Sequence, residues 1–202
     1  MAITTYAELQ TAVKNWIHRA DLDTYIVDFI TIAEKRIFRE VRAREMESSF
    51  SDTTSSNAIS LPTSYIELKY AYVDKDSDQH LKRTDASFLY EKYPTSSASS
   101  SRPYFIAREG SNFIFGPPAQ DGLTIKGYYY KDVGPVSSSA HTVFTTYPDL
   151  YLFASLAEAE PFLKNDKRIA VWEAKYQNLK QMINGLHDRE DLSGSDLQMR
   201  PG

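Results

Sequence analysis

Apolar residues recur at helical spacing at both ends of this chain and at strand spacing in between. Near the start, Leu9, Val13, Trp16 and Ile17 share one side of a helix predicted over residues 6–18. Thr5-Tyr6-Ala7-Glu8 has the S/T-x-x-E form in which a hydroxyl and a carboxylate satisfy the backbone N–H groups at a helix start. After a turn through Ala20-Asp21-Leu22-Asp23, the stripe Ile26, Phe29, Ile30, Ala33, Ile37 and Val41 predicts a second helix continuing to about residue 44. Such a helix is roughly 30 Å long and forms a hairpin with the first.

Beyond Met46 the pattern changes to short runs rich in β-branched and aromatic residues, punctuated by Ser, Asn, Pro and Gly. Strands are predicted over 48–53, 58–61, 66–73, 104–108, 112–115 and 123–130, forming an antiparallel meander or small sandwich. A charged turn is expected at 74–78, a short helix over 85–93 starting at Thr84 or Asp85, and a low-complexity loop over 96–101.

Helical grammar resumes at Tyr147-Pro148-Asp149, where proline suits a first turn and the aspartate complements the helix dipole. A third helix is expected over 149–163, kinked or ended by Pro161. Asn165 offers a cap for a fourth, whose Ile169, Trp172, Tyr176, Leu179 and Ile183 are spaced 3, 4, 3, 4 as in a packed seam, with Gly185 as its stop. Helices at opposite ends of a chain cannot bury their apolar stripes alone. The expectation is therefore an α+β protein: a four-helix bundle from residues 1–46 and 144–185, a β-rich insert over 47–143, and an extended polar tail over 186–202.

At 202 residues the chain can bury a core without staples, and with 42% hydrophobic and 25% charged residues it reads as neither disordered nor membranous. No secretory signal is read at its start, so synthesis in the cytosol is expected. The absence of cysteine removes disulfides, thiolate nucleophiles and cysteine zinc sites together. Histidines stand singly at 18, 80, 141 and 187, with no H-x-x-x-H pair and no G-x-x-x-x-G-K-[ST] loop, so no metal, cofactor or catalytic residue is assigned. Glu158 and Glu160 are the nearest thing to paired carboxylates, but residues two apart on a helix point in different directions.

A formal charge of −4 argues against a general grip on phosphates. The one dense basic run, Lys35 to Arg44, is interleaved with glutamates, and Glu40 to Arg44 makes an i,i+4 pair. Alternating signs on one face suit self-association, which makes Arg36, Arg39, Glu40 and Arg44 candidates for contacts between copies. The tyrosine-rich strands can likewise dock a neighbour.

Tyr147-Pro148-Asp149-Leu150-Tyr151, the alanine-rich helix after it, Pro161-Phe162-Leu163 and the Trp172 helix resemble the head-to-tail adaptors of tailed bacteriophages. Phe29-Ile30, Ala33-Glu34, Arg36-Ile37, Leu61-Pro62 and Tyr65-Ile66-Glu67-Leu68 extend the likeness, which is to adaptors related in design to tail tubular protein A of short-tailed phages. The resemblance implies a structural virion protein in the neck of the particle, assembled in the host cytoplasm and lacking enzymatic activity. It further implies a ring of about twelve copies bound to the portal protein above and to a tail nozzle or tube protein below, with DNA passing through and no membrane involved. The C-terminal tail, with Asp188, Leu192, Leu197, Met199 and Arg200, is then the portal-docking element. The other readings are a peptidoglycan- or glycan-cleaving tail enzyme and a glycan- or receptor-binding tail module.

Overall fold

The computed structural model describes residues 2–19, 21–74, 80–94, 101–163 and 166–192. Most of the charged turn expected at 74–78 and of the loop at 96–101, the Asn165 cap, and Leu197, Met199 and Arg200 lie outside them. The chain folds as two compact units. One consists of Met1–Met46 with Val133–Gly202, and the other of Glu47–Asp132. The class is α+β, with helices from both ends packing together and the sheets inserted between them in sequence.

In the helical unit, α1 (Tyr6–Ile17) begins with the expected reciprocal cap: Glu8 N–H donates to Thr5 Oγ1, and Thr5 N–H donates to the Glu8 carboxylate. Hydrogen bonds from the Thr4 backbone and hydroxyl, joined by those from Thr5, hold that carboxyl down at about 2. α2 (Asp23–Glu40) buries Ile26, Phe29, Ile30, Ala33 and Ile37. It stops at Glu40, four residues before the sequence suggests. Val41 turns extended, Arg42 N–H donates to Asn184 Oδ1 at 3.0 Å, and the Arg42 guanidinium caps the Phe38 and Val41 carbonyls.

A short helix absent from the sequence reading, α4 (Thr142–Thr146), follows the β region; His141 caps it by accepting from Phe144 N–H. It buries Val143 and Phe144, and Val136 N–H donates to the buried Glu34 carboxylate at 2.8 Å. These contacts place 133–143 in the helical unit, not in the insert as the strand grammar suggested. α5 (Pro148–Leu163) contacts α1, α2, α4 and α6 (Asp166–Leu192). From Leu150 to Ala157 it is apolar on nearly every side, burying Leu150, Tyr151, Leu152 and Leu156, as a helix at the centre of a bundle must. Pro161 lacks the N–H that would bond to the carbonyl four residues earlier, but it falls in the last turn of α5, which ends two residues later at Leu163. Gly185 does not stop α6, which continues helically to Leu192, so the first residues assigned to an extended tail are helical.

In the β unit, β1 (Glu47–Thr53), β7 (Thr124–Lys131) and β3 (Tyr65–Val73) form one antiparallel sheet in the order β1-β7-β3. The second sheet runs β2-β6-β5-β4, from β2 (Ala58–Ser60), β4 (Lys82–Arg83), β5 (Phe105–Glu109) and β6 (Asn112–Gly116). Its two-residue β4 pairs parallel with β5, so the insert is not wholly antiparallel. Leu68 and Ile125 from the first sheet meet Ile59, Ile106, Phe113 and Phe115 from the second in one core. α3 (Ala86–Lys92), capped by Asp85 as foreseen, lays Leu89 against Ala107 and Ile114 on the second sheet's other side.

Gly127 lies between Phe50 and Ala71 in the first sheet, and a Cβ there would stand 2.3 Å from Tyr70 O and 2.8 Å from Phe50 Cε1. Backbone cannot yield as a flexible side-chain tip can. Gly127→Ala is expected to cost about 3 kcal/mol, read as a lower midpoint in urea unfolding followed by tyrosine fluorescence.

Candidate functional site

The sequence candidates for contacts between copies converge on the line between α2 and α6, where the structure spends two of them inside the protomer. Arg36, with its side chain 16% exposed, donates from Nε to Glu40 Oε1 at 3.3 Å and from Nη1 to Glu158 Oε1 at 3.3 Å and Glu173 Oε2 at 2.9 Å. Its Nη2 also donates to Glu173 Oε1, making that contact two-pronged. The guanidinium lies 4.3 Å from the centre of the Tyr176 ring, so the same cation is held by charge and by the aromatic face.

Glu40 is shared in turn, accepting from Tyr176 Oη at 3.2 Å and Lys180 Nζ at 3.0 Å. Asn184 bridges the same ends, accepting from Arg42 N–H and donating to Glu40 O. Arg44 stands in the 3-10 turn Arg44–Met46, outside α2, so the i,i+4 geometry expected between Glu40 and Arg44 does not form; Arg36 and Lys180 take the Glu40 carboxylate. Arg39 and Arg44 are exposed.

The electrostatics follow the geometry. The hydrogen bond to Glu173 raises the Arg36 pKa above its ordinary value, and the same bond lowers that of Glu173. Burial pushes the Glu40 carboxyl up, but Lys180 and Arg36 together outweigh it and the net direction is down. Burial first, and the Glu40 charge second, raise the Tyr176 phenol, so it stays a neutral donor.

The two carboxylates weighed for hydrolysis have separate structural duties. Glu158 pairs with Arg36, whereas Glu160 is 1% exposed and accepts from Trp172 Nε1 at 3.0 Å. Asp188 and Leu192 lie in the backbone of α6 near its end. His18 ends α1 in a left-handed conformation, and His80 packs on Tyr70 and Tyr72. Among the described residues no three His, Cys, Asp or Glu side chains gather as metal ligands, and no helix is long and apolar enough to cross a membrane. Sequence spacing alone missed the Arg36–Glu173 contact, because its partners are 137 residues apart.

A cross-helix charge network that engages Glu40, Glu158 and Glu173 staples the helical unit. The chain belongs to the SU10 adaptor protein family, whose model matches residues 4–200. It is therefore a phage head-to-tail adaptor, a virion protein with a structural and not an enzymatic role that binds other virion proteins. No curated protein matches the chain.

Two outcomes test the network. Arg36→Met strips Glu158 and Glu173 of the guanidinium they share, leaves Glu40 with Lys180, and is expected to destabilise the helical unit by about 2 kcal/mol, measured by denaturant unfolding at 222 nm. Because Glu173 and Glu40 titrate below their ordinary 4.5, their stabilisation is complete above that pH and is lost as the pH falls through the depressed values. Melting temperature at 222 nm should fall below about pH 4.5, and Glu173→Gln should be less stable at neutral pH but fall less across that window.

Proposed function

We propose that the chain is one copy of a closed ring of about twelve that joins the portal vertex to the tail, with DNA leaving the head through its centre. The observation that carries this reading is the family match over nearly the whole chain. Closed cyclic repetition uses each contact surface once per neighbour and leaves none spare. A net charge of −4 supports a passive conduit, since a strongly basic wall would hold DNA phosphates instead of letting them slide.

In this reading the helical unit is the wedge that packs side by side, the β unit meets the tail nozzle or tube protein, and the end of the chain reaches the portal. The docking element is the stretch holding Asp188, Leu192, Leu197, Met199 and Arg200, whose apolar side chains serve as anchors among polar neighbours. Of the four charged candidates, Arg36 and Glu40 stiffen the wedge, and Arg39, which is exposed, meets a neighbouring copy.

Ending the chain after Leu192 should leave helicity and melting temperature unchanged while attachment to purified portal rings is lost, as seen by electron microscopy and co-sedimentation. Undiminished attachment would remove the tail from the mechanism. Failure of the full chain to bind portal rings would remove the neck role.

A further inference from the structure

β1 is an open sheet edge. In the order β1-β7-β3 it has a strand on one side, and none of the described residues forms a strand on the other. The hydrogen bonds around it fix which of its backbone groups point outward. Asp74 N–H donates to Thr124 O at 3.0 Å, so residue 124 of β7 turns its backbone toward β3. Successive residues of a strand turn alternate ways, so Ile125 and Gly127 turn theirs toward β1, where they face Asp52 and Phe50. Thr54 keeps the same phase, since its N–H donates to Leu123 O at 2.9 Å. Ser49, Ser51 and Thr53 therefore aim their N–H and C=O groups away from the sheet, and all three residues are exposed. Asp52 Oδ1 takes the Thr53 N–H at 2.8 Å, which closes that end. Ser49 and Ser51 keep both groups directed outward, with no neighbouring strand among the described residues to receive them.

The other edges are guarded. β3 is interrupted by two register shifts, and its far side is covered where Leu81 N–H donates to Ala71 O and Tyr72 bridges His80. β2 is three residues long, and β4 is Lys82 and Arg83 alone. Bulges, brevity and positive charge are the ordinary means of keeping an edge from pairing with another chain. β1 has seven residues in unbroken register with β7 and carries no lysine, arginine or proline. Phe50, whose ring lies against Phe113 and Tyr129 at the rim of the core, is only partly buried.

We infer that the β1 edge takes up an extended segment of the tail-side virion protein, which joins the sheet as a further strand beside β1. This rests on the reading above in which the β unit meets the tail. An extended backbone is the chemistry that answers N–H and C=O groups repeating every second residue. An apolar side chain of the incoming strand lies beside Phe50 and completes its burial, and a basic one two residues along faces Asp52. A second copy is a poorer occupant. β1 meeting another β1 makes a two-fold pair that closes on itself, which copies related by rotation around a ring cannot use, and the copy's other edges are guarded. Nucleic acid is poorer still, because β1 itself carries Glu47 and Asp52 and no cation.

The test uses the full chain. Ser49→Pro and Ser51→Pro each remove an outward N–H that β7 does not use, so circular dichroism and melting temperature should match the native chain. Both variants should still attach to portal rings but co-sediment with the purified tail nozzle or tube protein at least about tenfold less well. Amide hydrogen exchange of the native chain needs no variant. At Ser49 and Ser51 it should slow at least about tenfold when the tail protein is added to chain already seated on portal rings. Undiminished tail binding by a folded proline variant, or unchanged exchange at both serines once the complex has formed, overturns the inference and leaves the neck role standing. So does exchange that slows on portal rings alone, or a seated chain that leaves the tail protein unbound. If the native chain does not seat on portal rings, the neck reading falls and this contact falls with it.

Discussion

α5 is the constraint on which the helical unit depends. Between Leu150 and Ala157 it is apolar on nearly every side, so that stretch has to be enclosed, and the enclosing elements are drawn from both ends of the chain. α1 and α2 precede the β region by sequence and α6 follows it, yet all three lie against α5. Each fully buried leucine on α5 contributes about 1.5–3 kcal/mol of transfer free energy, which competes with the chain entropy lost in closing the long intervening segment. That segment carries its own core between two sheets, so the closure does not require the helices to stabilise it as well.

Much of this was legible because it is local. The capping box at Thr5, the Asp85 cap of α3 and the 3, 4, 3, 4 seam of α6 are set by residues within a turn or two of each other, and each appears where the sequence places it. What the sequence hid was set from afar. α2 ends at Glu40 because Asn184 and the Arg42 side chain receive its last backbone groups. α4 is five residues long, too short for a periodic signal, and its burial comes from tertiary packing. Gly185 looks like a helix stop in sequence, but neighbouring residues on both sides continue the helix.

The charge network illustrates the same division. Its residue types were recognised as a face of alternating sign, and the sequence reading assigned that face to neighbouring copies. Arg36 instead finds Glu158 and Glu173 within its own protomer and a tyrosine ring beneath it. Such a many-partnered arginine fixes geometry through several directional bonds at once, while the cost of taking its charges out of water holds down its net stabilisation. It fixes α2 against α6 in one register. Trp16, counted in the buried stripe of α1, remains 43% exposed for a related reason: its ring is placed by Phe153 and Trp172 at the rim of the unit, not by its position on α1 alone.

α6 divides its polar and charged groups unevenly between its two sides. Stiffness within a copy calls for strong, directional contacts, which the inner side supplies through Glu173, Tyr176 and Lys180 acting on α2. From Val171 to Leu186 the exposed side carries a single charge, Lys175. With its other charged groups in that stretch turned toward α2, α6 is held at one angle within the unit, and losing any of them loosens the unit itself.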